Sequence, residues 1–212
     1  MARLKAETIV YPVHKGLYVN LTNRCSCACT FCIRNSASGV GEDGEGGNNV
    51  LWLEHEPSFE EVMAAFDAED MSRYEEVVFC GYGEPTCAFE MLKRVAVEVK
   101  KRYGLPIRVN TNGQGSLICG RDIAPEFEGI VDAVSISLNT PNAEEYQRIV
   151  RSRFGEAAFQ GMLDFAREVK NYVPSVTMTT VETTITHEEE AVCQKICDEL
   201  GVTYRIRAWV NS

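Results

Sequence analysis

A chain of 212 residues, 45% hydrophobic and 25% charged, has enough apolar material for one sizeable core and is expected to fold as a single domain. Its formal net charge of −10 argues against a nucleic-acid partner, which would need a basic stripe. No apolar run reaches the length of a membrane span, and the first residues lack a signal-peptide core. No membrane partner is therefore expected, and the expected location is the cytoplasm, where the nine cysteines serve as reduced thiols and metal ligands.

Strand and helix signals alternate along the chain, the pattern of an α/β protein with a parallel sheet. A first strand over 16–21 runs into the segment NLTNRCSCACTFCIRN. Residues 36–49 are rich in Gly and acid, without periodicity. With their flanks, 33–57, they are expected to be a flexible insertion, either a lid or a solvated loop. Ser58 and Glu61 form a capping box for a helix whose apolar face is Val62, Met63 and Phe66. A second strand is expected over 76–80 and a second helix over 87–103, with Gly104 as its stop. The basic cluster Lys100, Lys101 and Arg102 suits the negative end of that helix dipole.

A third strand follows at 106–110, a short helical piece near 122–127, and a fourth strand at 133–138. Asn142 with Glu145 caps the next helical stretch, which breaks near Gly155 and resumes to about Tyr172. A fifth strand covers 175–181. Thr186 with Glu189 caps the last helix, Gly201 ends it, and a sixth strand covers 203–210. Six strands joined by helical crossovers predict a partial (β/α)6 TIM-like parallel barrel. In such a barrel functional residues gather at the strand ends that lead into helices.

Cys25, Cys29 and Cys32 stand in a C-x3-C-x2-C spacing after the first strand. Three thiolates can hold three irons of a cubic cluster and leave the fourth iron open, and an open position marks a catalytic site. Phe31 adds an aromatic face. Counted with Cys27, the run also suits a zinc site or an electron-transfer cluster with four cysteine ligands, so a non-catalytic metal protein stands as the alternative of another class. After the second strand comes Gly81-Tyr82-Gly83-Glu84-Pro85-Thr86. Its glycines allow close backbone approach, and its carboxylate suits an ammonium group. After the third comes Asn110-Thr111-Asn112-Gly113, which also reads as a plain Asn-Gly turn. The fourth ends in Ser135, Ser137 and Asn139 on one face, opposite Val134, Ile136 and Leu138.

The C-x3-C-x-aromatic-C loop resembles the signature of the radical S-adenosylmethionine (radical SAM) enzymes, and the resemblance extends from about residue 16 to the end. It implies a radical SAM core domain over 1–212, with a [4Fe–4S] cluster on Cys25, Cys29 and Cys32. It implies SAM on the free iron and reductive cleavage of SAM to methionine and a 5′-deoxyadenosyl radical, which takes hydrogen from a substrate. By the same resemblance Gly81, Gly83 and Glu84 receive the SAM amino group, and Asn110 belongs to the segment near its methionine part. Ser137 and Asn139 face the ribose, and Phe31 lies beside the cluster. Cys27 falls outside the family spacing and is a bystander. An electron donor such as flavodoxin or ferredoxin is implied as partner.

The segment LWLEHEPS and the short length resemble a subfamily associated with TatD-type hydrolases. Organic-radical-activating and 7-carboxy-7-deazaguanine-synthase-like enzymes are the other short relatives it resembles. The open barrel end after the sixth strand is expected to be completed by a partner or a large substrate.

Arg148 and Arg151 are expected as solvated helical arginines. Arg205 and Arg207 share a strand face that points either inward, toward an anion, or outward, with Trp209 on the same strand. Cys193 and Cys197 fit a core stripe, while Cys80 and Cys87 lie near the predicted cavity.

Overall fold

The computed structural model describes residues 8–35 and 51–208. One seven-stranded sheet runs in chain order, β1 (Val10–Val13), β2 (Gly16–Val19), β3 (Glu76–Phe79), β4 (Ile107–Thr111), β5 (Ala133–Ser137), β6 (Ser175–Val181) and β7 (Thr203–Arg207). The pair β1–β2 is antiparallel and every later pair is parallel. Strands β2 to β7 are the six expected from the sequence, in the order of a partial (β/α)6 barrel.

The extra strand, β1, pairs back on β2 as a hairpin whose turn places His14 at φ 52. Its sequence hides it, because Pro12 cannot donate to a ladder and is tolerated here on the edge of the sheet. A short helix, Gly115–Cys119, was also not foreseen, since its single turn carries no helical period. The last strand ends at Arg207 and does not include Ala208, and residues 209 and 210 of the predicted strand lie outside the described residues.

The helices are α1 (Phe59–Asp67), α2 (Phe89–Tyr103), α3 (Gly115–Cys119), α4 (Ala143–Val150), α5 (Ala157–Val169) and α6 (His187–Leu200). Their ends obey local chemistry. Ser58–Glu61 and Thr186–Glu189 form full capping boxes, and Asn142 accepts from the Glu145 N–H. Helices α2 and α6 stop at left-handed Gly104 and Gly201.

Alternation along the strands divides the sheet into two faces. Val77, Phe79, Ile107, Val109, Val134 and Ile136 are buried with the apolar faces of the helices in the main core. Val62, Met63 and Phe66 of α1 join it, as do Cys193 and Cys197 of α6, both fully buried as expected of small hydrophobes. Arg108, Asn110, Ser135 and Ser137 occupy the opposite face, toward the barrel interior.

Parts of the predicted 33–57 insertion lie within the described residues. Residues Ile33–Asn35 form a 3-10 turn, and Leu51 and Leu53 are buried. The Asn20 side chain donates to the Leu51 carbonyl at 2.7 Å, and Asn23 exchanges hydrogen bonds with both backbone groups of Leu53. This segment therefore lies along the entry to the cysteine loop. Residues 36–50 lie outside the described residues.

Candidate active site around the cysteine loop

The cysteine loop leaves the C-terminal end of β2 and is braced on two sides. Toward the end of α4, Ala28 N–H donates to Val150 O, Thr30 N–H to Ile149 O, and Arg153 N–H to Ser26 O. Toward residues 51–56, Arg24 makes a bidentate pair with Glu56, which also accepts from Thr22 Oγ1 at 2.5 Å. Arg34 donates to the Cys27 carbonyl at 3.0 Å, tying the end of the loop to its centre. A loop held by so many backbone contacts presents its side chains in one arrangement.

All four loop cysteines are free, but they divide into two groups. Cys25, Cys29 and Cys32 are half-buried, while Cys27 is 5% exposed. Cys25 borders a cleft of 770 Å³ shared with Arg24, Cys87 and Arg153. Cys29 and Cys32 border a second of 460 Å³ with Arg34 and Arg151. Cys27 instead faces a polar knot beneath the loop. Its Sγ accepts from Gln114 Nε2 at 3.3 Å and Asn112 Nδ2 at 3.4 Å. Gln114 is fully buried; its Oε1 accepts from Ser26 and Ser152, and its Nε2 also donates to the Tyr146 hydroxyl.

The thiol of Cys25 is shifted up chiefly by its hydrogen bond with Cys27. That of Cys27 is pushed up to about 12, where the downward pull of Cys25 is outweighed by Cys29 and by burial. Position is what separates Cys27 from the other three: it is buried beneath the loop, and they are half-buried. Gln114, Ser152 and Tyr146 belong to no motif and Ser26 is only a spacer in the cysteine motif, so the sequence gives no sign of this cluster, which meets only through loop docking.

The turn after β3 packs directly under this loop. A Cβ on Gly83 would stand 2.1 Å from the Thr22 carbonyl oxygen, and one on Gly81 would stand 2.1 Å from Asn20 Oδ1. Both glycines are thus required by contact with the protein's own chain. Glu84 is 4% exposed and accepts four hydrogen bonds. Its Oε1 takes Thr86 N–H, Thr86 Oγ1 and Thr111 Oγ1, the last at 2.6 Å, and its Oε2 takes Asn112 N–H at 2.8 Å. Burial pushes its carboxyl pKa up, against the opposing pull of these donors. Thr111 and Asn112, read from sequence as a plain turn, are therefore tied to Glu84, and Asn112 also reaches Ser26 Oγ at 2.9 Å.

The remaining candidates lie around the same strand ends. Asn110 Oδ1 accepts from Arg108 at 2.9 Å, and Arg108 is bidentate to Glu76. Ser137 ends β5, and Asn139 just beyond it adopts φ 64 while its N–H donates to Thr179 O. Asn139 is 5% exposed and its Oδ1 has no hydrogen-bond partner, an unusual state for a buried polar atom. Phe31 is half-buried beside Cys32. Arg148 pairs with Glu145 on the exposed face of α4, as expected of a solvated arginine.

The family described as the Radical SAM superfamily matches residues 19–196. The chain belongs to the radical SAM superfamily. It is an enzyme of that superfamily, whose cofactors are a [4Fe–4S] cluster and SAM. The donor set fits this radical SAM chemistry: three free, half-buried thiols share one braced loop, and the fourth is occupied elsewhere. Among the described residues no three His, Cys, Asp or Glu side chains are grouped to hold a metal ion. Thiolates that ligate separate irons of one cluster need no such convergence.

A tungsten-containing aldehyde ferredoxin oxidoreductase cofactor-modifying protein of Pyrococcus furiosus is 27% identical over 192 residues, 89% of this chain. This chain spans 49% of that relative's length. SuiB of Streptococcus suis, solved bound to its precursor peptide SuiA, superposes with a TM-score of 0.65 at 13% identity, covering 94% of this chain and 40% of SuiB. A radical SAM methyltransferase from Sphaerobacter thermophilus gives 0.60 at 17% identity, covering 91% of this chain and 55% of its own. At these identities the two structures establish the shared fold. No helix among the described residues is long and apolar enough to cross a membrane.

Proposed function

We propose that this radical SAM enzyme abstracts hydrogen from its substrate at the mouth formed by the strand ends. Cys25, Cys29 and Cys32 hold the cluster and Cys27 does not. The observation that carries this assignment is the burial of Cys27 on Gln114, while the three other thiols border the clefts. When bound, the cluster and SAM supply a 5′-deoxyadenosyl radical, and the protein's part is to bind, orient and shield.

Glu84 Oε2 has one acceptor position beyond the Asn112 N–H, and it receives the SAM amino group. Asn139 Oδ1, buried and unpartnered, accepts from a ribose hydroxyl, with Ser137 beside it. Gly81 and Gly83 set the height of the turn under the cysteine loop, and Asn110 bounds the interior. Arg34 and Arg153 at the Cys25 cleft offer positive charge beside the neutralised Arg24–Glu56 pair, suited to an acidic electron donor such as flavodoxin or ferredoxin.

Anaerobic reconstitution with iron and sulfide, followed by reductant and SAM, tests the assignment. We expect 5′-deoxyadenosine from the wild type and none from Cys29→Ala. We also expect unchanged iron content in Cys27→Ala. A fully loaded wild-type cluster that yields no 5′-deoxyadenosine would refute the catalytic assignment. Loss of iron in Cys27→Ala would instead support a site with four cysteine ligands.

A further inference from the structure

The direction of the arginines on β7 is settled by one hydrogen bond. The Tyr204 hydroxyl lies 2.6 Å from Thr180 Oγ1, and Thr180 and its alternate neighbour Met178 are fully buried on the helix-facing side. Tyr204 itself packs on the main core. By the period of two, Arg205 and Arg207 stand on the opposite face, toward the barrel interior, in register with Thr179 and Val181.

The interior arginine Arg108 is neutralised by its bidentate bond to Glu76. The guanidinium groups of Arg205 and Arg207 have neither a carboxylate nor a hydrogen-bond acceptor among the described residues. Both side chains belong to exposed residues on the last strand of the sheet. Even so, burial is the main cause that pushes the Arg207 guanidinium below its ordinary value. The like charge of Arg205 adds to that shift, and Cys80 and Tyr18 oppose it. Arg207 is therefore electrostatically coupled to Tyr18 on β2 and to Cys80 just after β3. Two adjacent cations on one strand face, without a partner among the described residues, are stabilised when an anion joins them.

We propose that Arg205 and Arg207 bind an anionic substrate, a small molecule or group carrying two negative charges as carboxylate or phosphate. The proposal rests on the enzymatic assignment above and names the substrate class of the same mouth. Alternate residues on a strand stand about 7 Å apart, so the two guanidinium groups can share a dicarboxylate or clasp one phosphate.

Calorimetric titration of the reconstituted holoenzyme, with SAM present, tests this with two probes, succinate and inorganic phosphate. We expect saturable binding of at least one probe. Affinity should fall at least about ten-fold in Arg205→Gln/Arg207→Gln and stay unchanged in Arg148→Gln, with iron content equal in all three. The probe that binds more tightly identifies the carboxylate or the phosphate source.

Absence of saturable binding, or equal affinity in the double variant, overturns the proposal. A parallel loss of affinity for SAM itself overturns it too, since the arginines would then serve the cofactor. Production of 5′-deoxyadenosine without substrate is read separately. Its absence from every protein would refute the enzymatic assignment while leaving the anion result to stand on its own.

Discussion

The backbone N–H of Asn112 donates to Glu84 Oε2 at 2.8 Å, across 28 residues of chain. With Thr111 Oγ1 on Oε1, this joins the turn after β3 to the end of β4 through a single carboxylate. The side chain of Asn112 continues the connection to Ser26 under the cysteine loop. Glu84 thus orders the site as well as facing it.

Glu84→Gln keeps the shape but replaces an acceptor oxygen with an amide that cannot accept. At least one of the four donors then loses its partner, at a cost of about 1–3 kcal/mol. We expect a lower Tm in the cofactor-free protein and, separately, weaker SAM binding in the loaded one. An unchanged Tm would show that the carboxylate does not tie the two strand ends together.

Gly83→Ala places a methyl group 2.1 Å from the Thr22 carbonyl oxygen, a backbone atom that cannot swing away. Overpacking of this kind costs about 1–3 kcal/mol. The strain falls on the cysteine loop, so iron incorporation should drop with stability. Gly104→Ala is the comparison: it strains a left-handed helix end remote from the loop, where a Cβ meets nothing within 4 Å. That variant should lose some stability and keep its iron.

Asn23→Ala removes both hydrogen bonds that hold Leu53 beside the entry to the cysteine loop. We expect a loss of about 1–2 kcal/mol. Hydrogen exchange should quicken at residues 51–56 before it changes in α2. Uniform acceleration across the sheet would show that this segment has no independent anchoring.

Thr186→Ala removes the cap of α6 and should cost about 1 kcal/mol by thermal or denaturant unfolding. Iron content should be unaffected, because the capping box is exposed and remote from the cysteine loop.

The chain's own sequence determined the elements and their order. Capping residues act on the next three positions, and burial repeats every two or 3.6 residues, so β2 to β7 and the ends of α1, α2 and α6 are legible locally. The same holds for the spacing of Cys25, Cys29 and Cys32, because all three sit within one loop. Strand β1 escaped because its proline breaks the strand signal, and α3 because one turn has no period.

Tertiary structure alone decided what the site residues touch. Cys27 is set apart by Gln114, which lies 87 residues away, and no periodic trace connects them. The glycines of the turn after β3 are required by Asn20 and Thr22, and the arginines of β7 face inward because Tyr204 finds Thr180. Such relations depend on strand register and loop docking, which bring distant residues within a few ångströms after the backbone has chosen its elements.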